Sequence, residues 1–370
     1  MSDAVDLLHA LVATPSPSRR ERAAVDVLLR WMLRHGFDAQ RDGVGNAVGT
    51  RGNGPCEILL LGHIDTFPGE LPVRIENGIL HGRGSVDAKG PLAAFAAAAA
   101  RVSVPAGWQV TVVGAVEEES WTSRGARRVV ADRKQAGSTP VAVVAGEPSR
   151  WDRITLGYRG SVELLARLTV PFAHSAGNVP LPAERAVELW QAIEAFVVDR
   201  NGDHSGPEFE RHHAALRSIR TGTVGGFGRA DLTVGLRLPP GVGVATATEQ
   251  LRSHLDGVIT TWGPGTVLSL RFRGAQEAYR APKSTPLVSA FVRAIRAGGG
   301  DPRFVVKTGT ADLNVVGQAW PGVPMAAYGP GDSALDHTPD EHLNLAEYES
   351  AIGVLERTIT ELVGGAGRTA

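Results

Sequence analysis

Residues 58–66 read Ile-Leu-Leu-Leu-Gly-His-Ile-Asp-Thr, an apolar run that leads into a histidine and an aspartate. Four large apolar residues in succession are typical of a strand that is buried on both faces. Strand patterns at 110–116 and 141–145 alternate with helix patterns at 25–33, 92–101 and 123–135. This alternation predicts an α/β fold, in which helices flank a mainly parallel sheet.

The middle of the chain has a different pattern. Strand-like segments at 161–170, 217–224, 231–238 and 267–272 are interleaved with helix patterns at 182–198 and 245–255. The order β-α-β-β-α-β is that of a small ferredoxin-like α+β domain. After Tyr279 the first pattern resumes. We therefore expect a catalytic domain in two parts, residues 1–158 and 277–370, with an inserted second domain at 159–276.

The composition narrows the classes of function. The 370 residues exceed what one hydrophobic core usually needs, and the net charge of -1 gives no sign of a nucleic-acid partner. The single cysteine, Cys56, excludes an internal disulfide and a multi-cysteine zinc site, so His, Asp and Glu would have to hold any metal. The sequence has no pattern of a secretory signal or a membrane span, which predicts a cytoplasmic protein without a membrane partner.

Two motifs in the first part carry possible metal ligands. Residues two apart on a strand point the same way, so Asp65 could accept a hydrogen bond from His63 and fix its tautomer. A glycine-rich turn at 82–90 places Asp87 at the start of a predicted helix. Taken alone, His63 and Asp65 could be a chance pair, and Asp87 is better explained as a helix N-cap. An aspartate in that position could also bridge two metal ions.

Three further motifs follow predicted strands. They are the acidic run Glu117-Glu118-Glu119, then Glu147, and finally His337 in a Gly/Pro-rich stretch. Each has an ordinary explanation: a solvated acidic turn, a strand exit or a surface histidine. Together they follow strands of one alternating domain, and open α/β sheets place their sites at the carboxyl ends of strands. Because zinc accepts both imidazole nitrogen and carboxylate oxygen, the set predicts a two-metal site.

In this order the motifs resemble the dizinc aminoacylase/carboxypeptidase family, which includes acetylornithine deacetylase and succinyl-diaminopimelate desuccinylase. The resemblance implies two Zn²⁺ ions, or Co²⁺ in their place, and a zinc-peptidase-like catalytic domain. It implies five metal ligands: His63, Asp87, Glu119, Glu147 and His337. It makes Asp65 the orienting partner of His63 and Glu118 the general base. The third glutamate leaves the register ambiguous; we assign Glu118 and Glu119 because a non-glutamate normally follows the pair.

The inserted domain contains Ala-His-Ser-Ala-Gly at 173–177, which resembles the lid histidine motif of the family. The resemblance implies that His174 stabilises the tetrahedral oxyanion, in some members across a dimer. It thus implies a lid or dimerisation role for the inserted domain, and a homodimer or higher homo-oligomer. The alternative for His174 is an ordinary surface position on the lid.

The stretches 116–120, 307–314 and 328–333 resemble a narrower subgroup, the [LysW]-lysine/[LysW]-ornithine hydrolases. This implies release of lysine or ornithine from the C-terminal glutamate of a small acidic amino-group carrier protein, in lysine or arginine biosynthesis. Trp121 departs from the pattern, because a smaller residue is expected there. Arg159, Arg280 and Lys307 are candidates for binding a substrate carboxylate or the acidic carrier, with ordinary surface charge as the alternative.

Other functions remain open at this point. The first is deacylation of N-acetylornithine or another small N-acyl amino acid. The second is a metal-dependent dipeptidase or carboxypeptidase. The third, of a different class, is a non-catalytic binding protein that keeps the fold; loss of ligands would favour it, and every expected ligand is present.

Overall fold

The computed structural model describes residues 2–171, 180–203, 205–262 and 265–365. The chain divides into two compact units. Unit 1 comprises Met1–Gly157, Arg280–Val306 and Ala311–Ala370, and unit 2 comprises Tyr158–Tyr279 and Lys307–Thr310. The predicted domains, a catalytic domain at 1–158 and 277–370 with an insertion at 159–276, stay a prediction.

The elements are numbered in chain order. The helices are α1 (Asp3–Val12), α2 (Arg22–Arg34), α3 (Lys89–Arg101), α4 (Arg124–Gln135), α5 (Pro182–Asn201), α6 (Val244–Thr260), α7 (Pro286–Ala297), α8 (Asp312–Ala319) and α9 (Leu345–Gly365). The strands are β1 (Asp38–Arg41), β2 (Ala47–Gly52), β3 (Cys56–His63), β4 (Arg74–Glu76), β5 (Ile79–His81), β6 (Trp108–Ala115), β7 (Ala142–Gly146), β8 (Arg153–Tyr158), β9 (Gly160–Pro171), β10 (His213–Val224), β11 (Phe227–Leu238), β12 (Val267–Gln276), β13 (Tyr279–Arg280), β14 (Arg303–Lys307), β15 (Met325–Ala327) and β16 (His342–Asn344).

The main sheet has the strand order β1-β2-β6-β3-β7-β15-β8-β13, with β14 beside β8. Its centre is parallel: β3 pairs with β6 and β7, and β15 pairs with β7. The margins are antiparallel, at β1-β2-β6 on one side and at β15-β8 on the other. The predicted α/β fold is thus confirmed, although the sheet is mixed. A short turn joins β1 to β2, and a connection so short can only produce an antiparallel pair.

The apolar run at residues 58–61 forms the middle of the main sheet. Within β3 the side chains from Glu57 onward are buried, because the strand has neighbours on both edges and helices over its faces. Helix α3 packs against β3 and α9, and its alanines are buried almost all round. Alanine has the highest helix propensity, and its small side chain lets the helix approach the sheet closely. This helix also fixes the segment just before it, which contains Asp87.

Unit 2 has the predicted β-α-β-β-α-β order, and this prediction is confirmed. Its sheet has the order β10-β11-β9-β12, with every neighbouring pair antiparallel. Burial alternates along β9, because one face of the strand lies against α5 and α6. Gly225 and Gly226 both have positive φ and join Val224 to Phe227 in a two-residue hairpin turn, which suits the twist of the strands.

A third, small sheet has the order β16-β5-β4 and lies within unit 1. Its strands are three residues each, too short to give a periodic signal in the sequence. Across the part of the chain that the structure describes, no helix combines the length and apolar character needed to cross a bilayer.

Candidate metal centre

The candidate ligands lie at one edge of the main sheet. The parallel strands β6, β3, β7 and β15 are neighbours in that order, so their carboxyl ends lie side by side. His63 ends β3, Glu119 follows β6, Glu147 follows β7, and His337 lies in the loop after β15. Asp87 approaches from the segment before α3. The strand order therefore brings together ligands that are up to 274 residues apart in sequence.

Two groups of three side chains converge at this edge, and Asp87 belongs to both. Potential ligand atoms of His63, Asp87 and Glu147 lie within 4.8 Å of one another, and the same holds for Asp87, Glu119 and His337. The Oδ1 atom of Asp87 is 3.2 Å from Nε2 of His63, and its Oδ2 atom is 3.0 Å from Nε2 of His337. Nε2 of His337 is also 2.9 Å from Oε1 of Glu119.

The donor atoms suit divalent cations. Nδ1 of His63 lies 3.0 Å from the main-chain oxygen of Asp65, an arrangement that places the ring proton on Nδ1 and leaves the Nε2 lone pair directed at Asp87. A lone pair that faces a carboxylate oxygen needs a proton or a metal ion between the two. Imidazole nitrogen with carboxylate oxygen is a donor set that zinc accepts. These residues therefore fit a pair of divalent cations that share Asp87.

The pKa shifts of the two histidines also indicate that positive charge is needed between the ligands. Burial opposes a charge on His63, but hydrogen bonds to Asp65 and Asp87 and the charge of Glu118 raise its pKa well above the usual range. Contacts with Asp87 and Glu119 raise the pKa of His337 to about 10. The carboxylates thus hold protons on both imidazoles, in the positions that bound cations would occupy.

Asp65 contacts both His63 and the acidic turn. Its carboxylate Oδ1 is 3.6 Å from Nδ1 of His63, so the main-chain oxygen of Asp65 is the nearer acceptor. The carboxylate instead accepts the N–H groups of Glu118 and Glu119, each at 3.1 Å, and the hydroxyl of Ser18 at 2.7 Å. Asp65 is fully buried. It therefore fixes both the tautomer of His63 and the position of the acidic turn.

The three consecutive glutamates have different surroundings. Glu117 has a φ of +60°, in the left-handed region that bulky residues rarely adopt, and its side chain contacts Thr122 at 2.8 Å and Arg124 at 3.3 Å. Glu119 lies in the group with Asp87 and His337. Glu118 lies between these two residues in the acidic run, and its carboxylate interacts electrostatically with His63 and Glu147.

Glu118 is surrounded by the other groups of the centre. Burial raises its pKa well above the ordinary value; His63 opposes this rise, whereas Glu147, Asp312 and Glu119 add to it. Asp312, at the start of α8, is itself buried, and burial raises its pKa to about 7. Sequence reasoning assigned no role to Asp312, because a single aspartate at a helix start looks like an ordinary first-turn residue.

The segment that contains Asp87 is held by a buried carboxylate that belongs to no predicted motif. Glu341 is 1% exposed, and its Oε1 accepts the N–H groups of Val86 and Asp87, both at 3.1 Å. Its Oε2 is 2.7 Å from Nη1 of Arg83. Since 254 residues separate Glu341 from Asp87, no local pattern could have revealed the contact.

An exposed aromatic residue covers one candidate ligand. The ring of Phe67, 41% exposed, stacks on the imidazole of His337 with centroids 4.3 Å apart and planes 15° apart. The guanidinium carbon of Arg83 lies 5.9 Å from the centroid of the same ring. Arg83 thus contacts both the side chain that stacks on His337 and the carboxylate that holds Asp87.

The remaining predicted residues are placed as follows. His174 lies outside the described residues. Arg159 is 3% exposed, and its guanidinium donates to main-chain oxygens of unit 2, the shortest bond being 2.8 Å to Thr308; this contact favours a structural role. Arg280 is exposed and Lys307 half-buried. Trp121, the departure from the subgroup pattern, is 51% exposed.

Comparison with known proteins identifies the family to which the chain belongs. Residues 59–361 match peptidase family M20/M25/M40. The chain belongs to this family. A [LysW]-lysine hydrolase of Deinococcus radiodurans is 43% identical over 97% of both chains, and a [LysW]-lysine/[LysW]-ornithine hydrolase of Saccharolobus islandicus is 28% identical over 84% of this chain and 82% of that protein.

The fold agrees with this assignment. The M20 family metallo-carboxypeptidase Sso-CP2 of Sulfolobus solfataricus superimposes with a TM-score of 0.79 at 17% identity, covering 97% of this chain and 99% of that one. The resemblance stated from the motifs is confirmed. As a member of the M20 family, the chain is a metal-dependent amide hydrolase.

Proposed function

We propose that the protein hydrolyses the amide bond between the C-terminal glutamate of a small acidic amino-group carrier protein and lysine, or ornithine, and so releases the amino acid. The observation that carries the proposal is the sharing of Asp87 by two ligand groups, because a bridging carboxylate is what a two-metal hydrolase needs. The names of the relatives supply the substrate, and the M20 family supplies the reaction class.

The proposed centre would hold two zinc ions, with cobalt able to occupy the same ligands. His63 and Glu147 would hold one ion, Glu119 and His337 would hold the other, and both would share Asp87. What supports this assignment is the separation of at most 4.8 Å within each group. The contacts of Glu117 with Thr122 and Arg124 support the register in which Glu119 is the ligand and Glu118 the base.

When bound, the two cations would acidify water and polarise the amide carbonyl. The chain itself moves the protons. We assign to the Glu118 carboxylate the removal of a proton from the attacking water and its return to the leaving nitrogen. Burial among acidic groups suits this role, because a base with a raised pKa can both accept and release a proton near neutral pH. Asp65 keeps Glu118 in place through the N–H of that residue.

The lid and partner assignments extend the proposal. We assign His174 to oxyanion stabilisation and unit 2 to a lid or dimerisation role in a homo-oligomer. Arg280 and Lys307 are proposed to contact the acidic carrier, whereas the carbonyl contacts of Arg159 favour a structural role for that residue. Binding of an acidic partner should then weaken as salt is added. We place the enzyme in the cytoplasm.

One experiment separates the proposed function from its nearest alternatives. Purified protein is given the carrier–lysine and carrier–ornithine conjugates and, in parallel, N-acetylornithine and a dipeptide, each with and without a chelator. We expect release of lysine or ornithine from a conjugate, loss of turnover with the chelator, and recovery with Zn²⁺ or Co²⁺. Turnover of only N-acetylornithine or the dipeptide would refute the carrier substrate, and turnover that persists in the chelator would refute metal dependence.

A further inference from the structure

A third group of potential metal ligands lies at the small sheet, apart from the five candidate ligands of the centre. Potential ligand atoms of His81, Asp340 and His342 lie within 4.8 Å of one another. His81 ends β5 and His342 begins β16, and the antiparallel register places them directly opposite each other. Directly opposed residues on antiparallel strands project from the same face, with Cβ atoms about 4.5–5.5 Å apart.

The ring geometry leaves nitrogen lone pairs available. The imidazole centroids of His81 and His342 are 5.3 Å apart with planes inclined at 36°, so the rings are tilted and not stacked. Nδ1 of His342 lies 2.7 Å from the main-chain oxygen of Asp340, which places the proton on Nδ1 and leaves Nε2 as an acceptor. A backbone carbonyl on one ring nitrogen is a common way to orient a metal-binding histidine through its other nitrogen.

The third candidate ligand, Asp340, supplies negative charge, and its carboxylate is not held in a close ion pair with His342. The Asp340 side chain is 76% exposed and its Oδ1 is 3.7 Å from Nδ1 of His342, outside hydrogen-bond distance. Arg74 on β4 lies in register with His81, and its Nε pairs with Glu76 at 3.1 Å. The carboxylate of Asp340 is therefore placed to balance the charge of a bound cation.

We propose that His81, Asp340 and His342 form a third divalent-cation site, for Zn²⁺ or another first-row ion that favours imidazole nitrogen. Two nitrogens and one carboxylate oxygen leave the fourth tetrahedral position to water. Since the ligands are surface side chains, this site binds more weakly than the buried centre. The proposal does not depend on which amide the enzyme cleaves.

The site is connected to the catalytic edge through one residue. Glu341 lies between the ligands Asp340 and His342 and directs its side chain the other way, to the N–H of Asp87. Its main-chain oxygen accepts the N–H of Gly82, the residue after His81. A cation held by His81 and His342 would thus join β5 to β16 next to the residue that positions Asp87.

The test measures zinc bound to the full-length, metal-stripped protein by equilibrium dialysis and elemental analysis over a range of free Zn²⁺. We expect the double variant His81→Gln/His342→Gln to saturate with one fewer ion per chain than the wild type. The matched control is His213→Gln, because His213 is an exposed histidine of unit 2 outside all three groups of potential ligands; it should bind as the wild type does. Asp340→Asn should weaken the additional ion without changing the tightly bound ones.

The difference between wild type and double variant decides the proposal. Equal saturation in the two proteins, or an equal loss in His213→Gln, would overturn it. The number of tightly bound ions tests the two-metal centre separately. A failure of the proposed function can therefore be distinguished from a failure of the third-site proposal. The metal-free double variant should unfold at the wild-type temperature, which excludes misfolding as the cause of a lost ion. With Co²⁺ as the probe, the wild type should show visible absorption in addition to that of the two-metal centre, and the double variant should show only the latter, which gives a second readout.

Discussion

The substitution Glu341→Gln tests whether the candidate centre depends on a carboxylate that touches no metal. Glu341 accepts the N–H groups of Val86 and Asp87 on one oxygen and pairs with Arg83 on the other. Glutamine has the same shape but only one acceptor oxygen and no charge. It can satisfy either the two N–H groups or the guanidinium, and whichever orientation it takes turns an NH₂ group toward a donor.

The structure sets the size of the effect. Removing one partner of a buried ion pair costs about 3–5 kcal/mol, and the Arg83 side chain is 12% exposed, so we expect the free energy of unfolding to fall by about 2–4 kcal/mol. Residues that orient metal ligands typically change metal affinity by about 10–100-fold. The Asp87 carboxylate should lose its fixed direction, and both cations depend on it.

The assay is competition for Zn²⁺ against a chromophoric chelator, together with thermal unfolding and kcat and KM. Glu57→Gln is the matched control, since Glu57 is another buried glutamate that pairs with an arginine, Arg133, and it lies at the opposite end of β3 from His63. Both variants should lose stability, but only Glu341→Gln should lose zinc affinity. Zinc affinity within about twofold of wild type in Glu341→Gln would refute the reasoning, because the expected loss is at least tenfold.

Three more predictions concern the same centre. Glu118→Gln should lower kcat by about 10²–10⁴ with its metals retained, whereas Glu117→Gln should stay much closer to wild type; metal loss in Glu118→Gln would instead make that residue a ligand. Zinc affinity should rise with pH below about 10, by up to about tenfold per pH unit for each ion, because His337, with a pKa of about 10, and His63 must each release one proton before binding a cation; competition titrations that show no slope would contradict this. Chelation should lower Tm by several degrees, since bound ligand at about 1,000 times its Kd stabilises by about 4 kcal/mol, and added Zn²⁺ should restore it; calorimetry that shows no shift would exclude a tightly held metal.

The parts of the fold that follow from local pattern could be predicted. Continuous apolar runs identify β3, β6 and β7 because strands buried on both faces have no polar side. The short strands β1 and β4 were missed, since Asp-Ala-Gln-Arg and Arg-Ile-Glu are exposed, polar and too brief to show a period. Their positions depend on neighbours elsewhere in the chain, which is information that a local window does not contain.

The same limit applies to the candidate centre. His63 and Glu147 stand directly at strand ends, so the strand pattern alone places them at the sheet edge. The predicted contact of His63 with Asp65 is present, but its geometry could not be predicted. β3 ends at His63, and the main-chain oxygen of Asp65, at 3.0 Å, is nearer to Nδ1 than the carboxylate, at 3.6 Å. Glu341 and Phe67 contact the centre only through tertiary structure.

All five candidate ligands belong to unit 1, including His337, which follows unit 2 in the chain. Closing the centre therefore requires the two sequence-distant parts of unit 1 to fold onto each other, and β15 does this by pairing in parallel with β7. Glu341 reinforces the closure, because it joins the C-terminal part to the Asp87 segment beside the same centre. Metal binding and assembly of unit 1 should thus be linked.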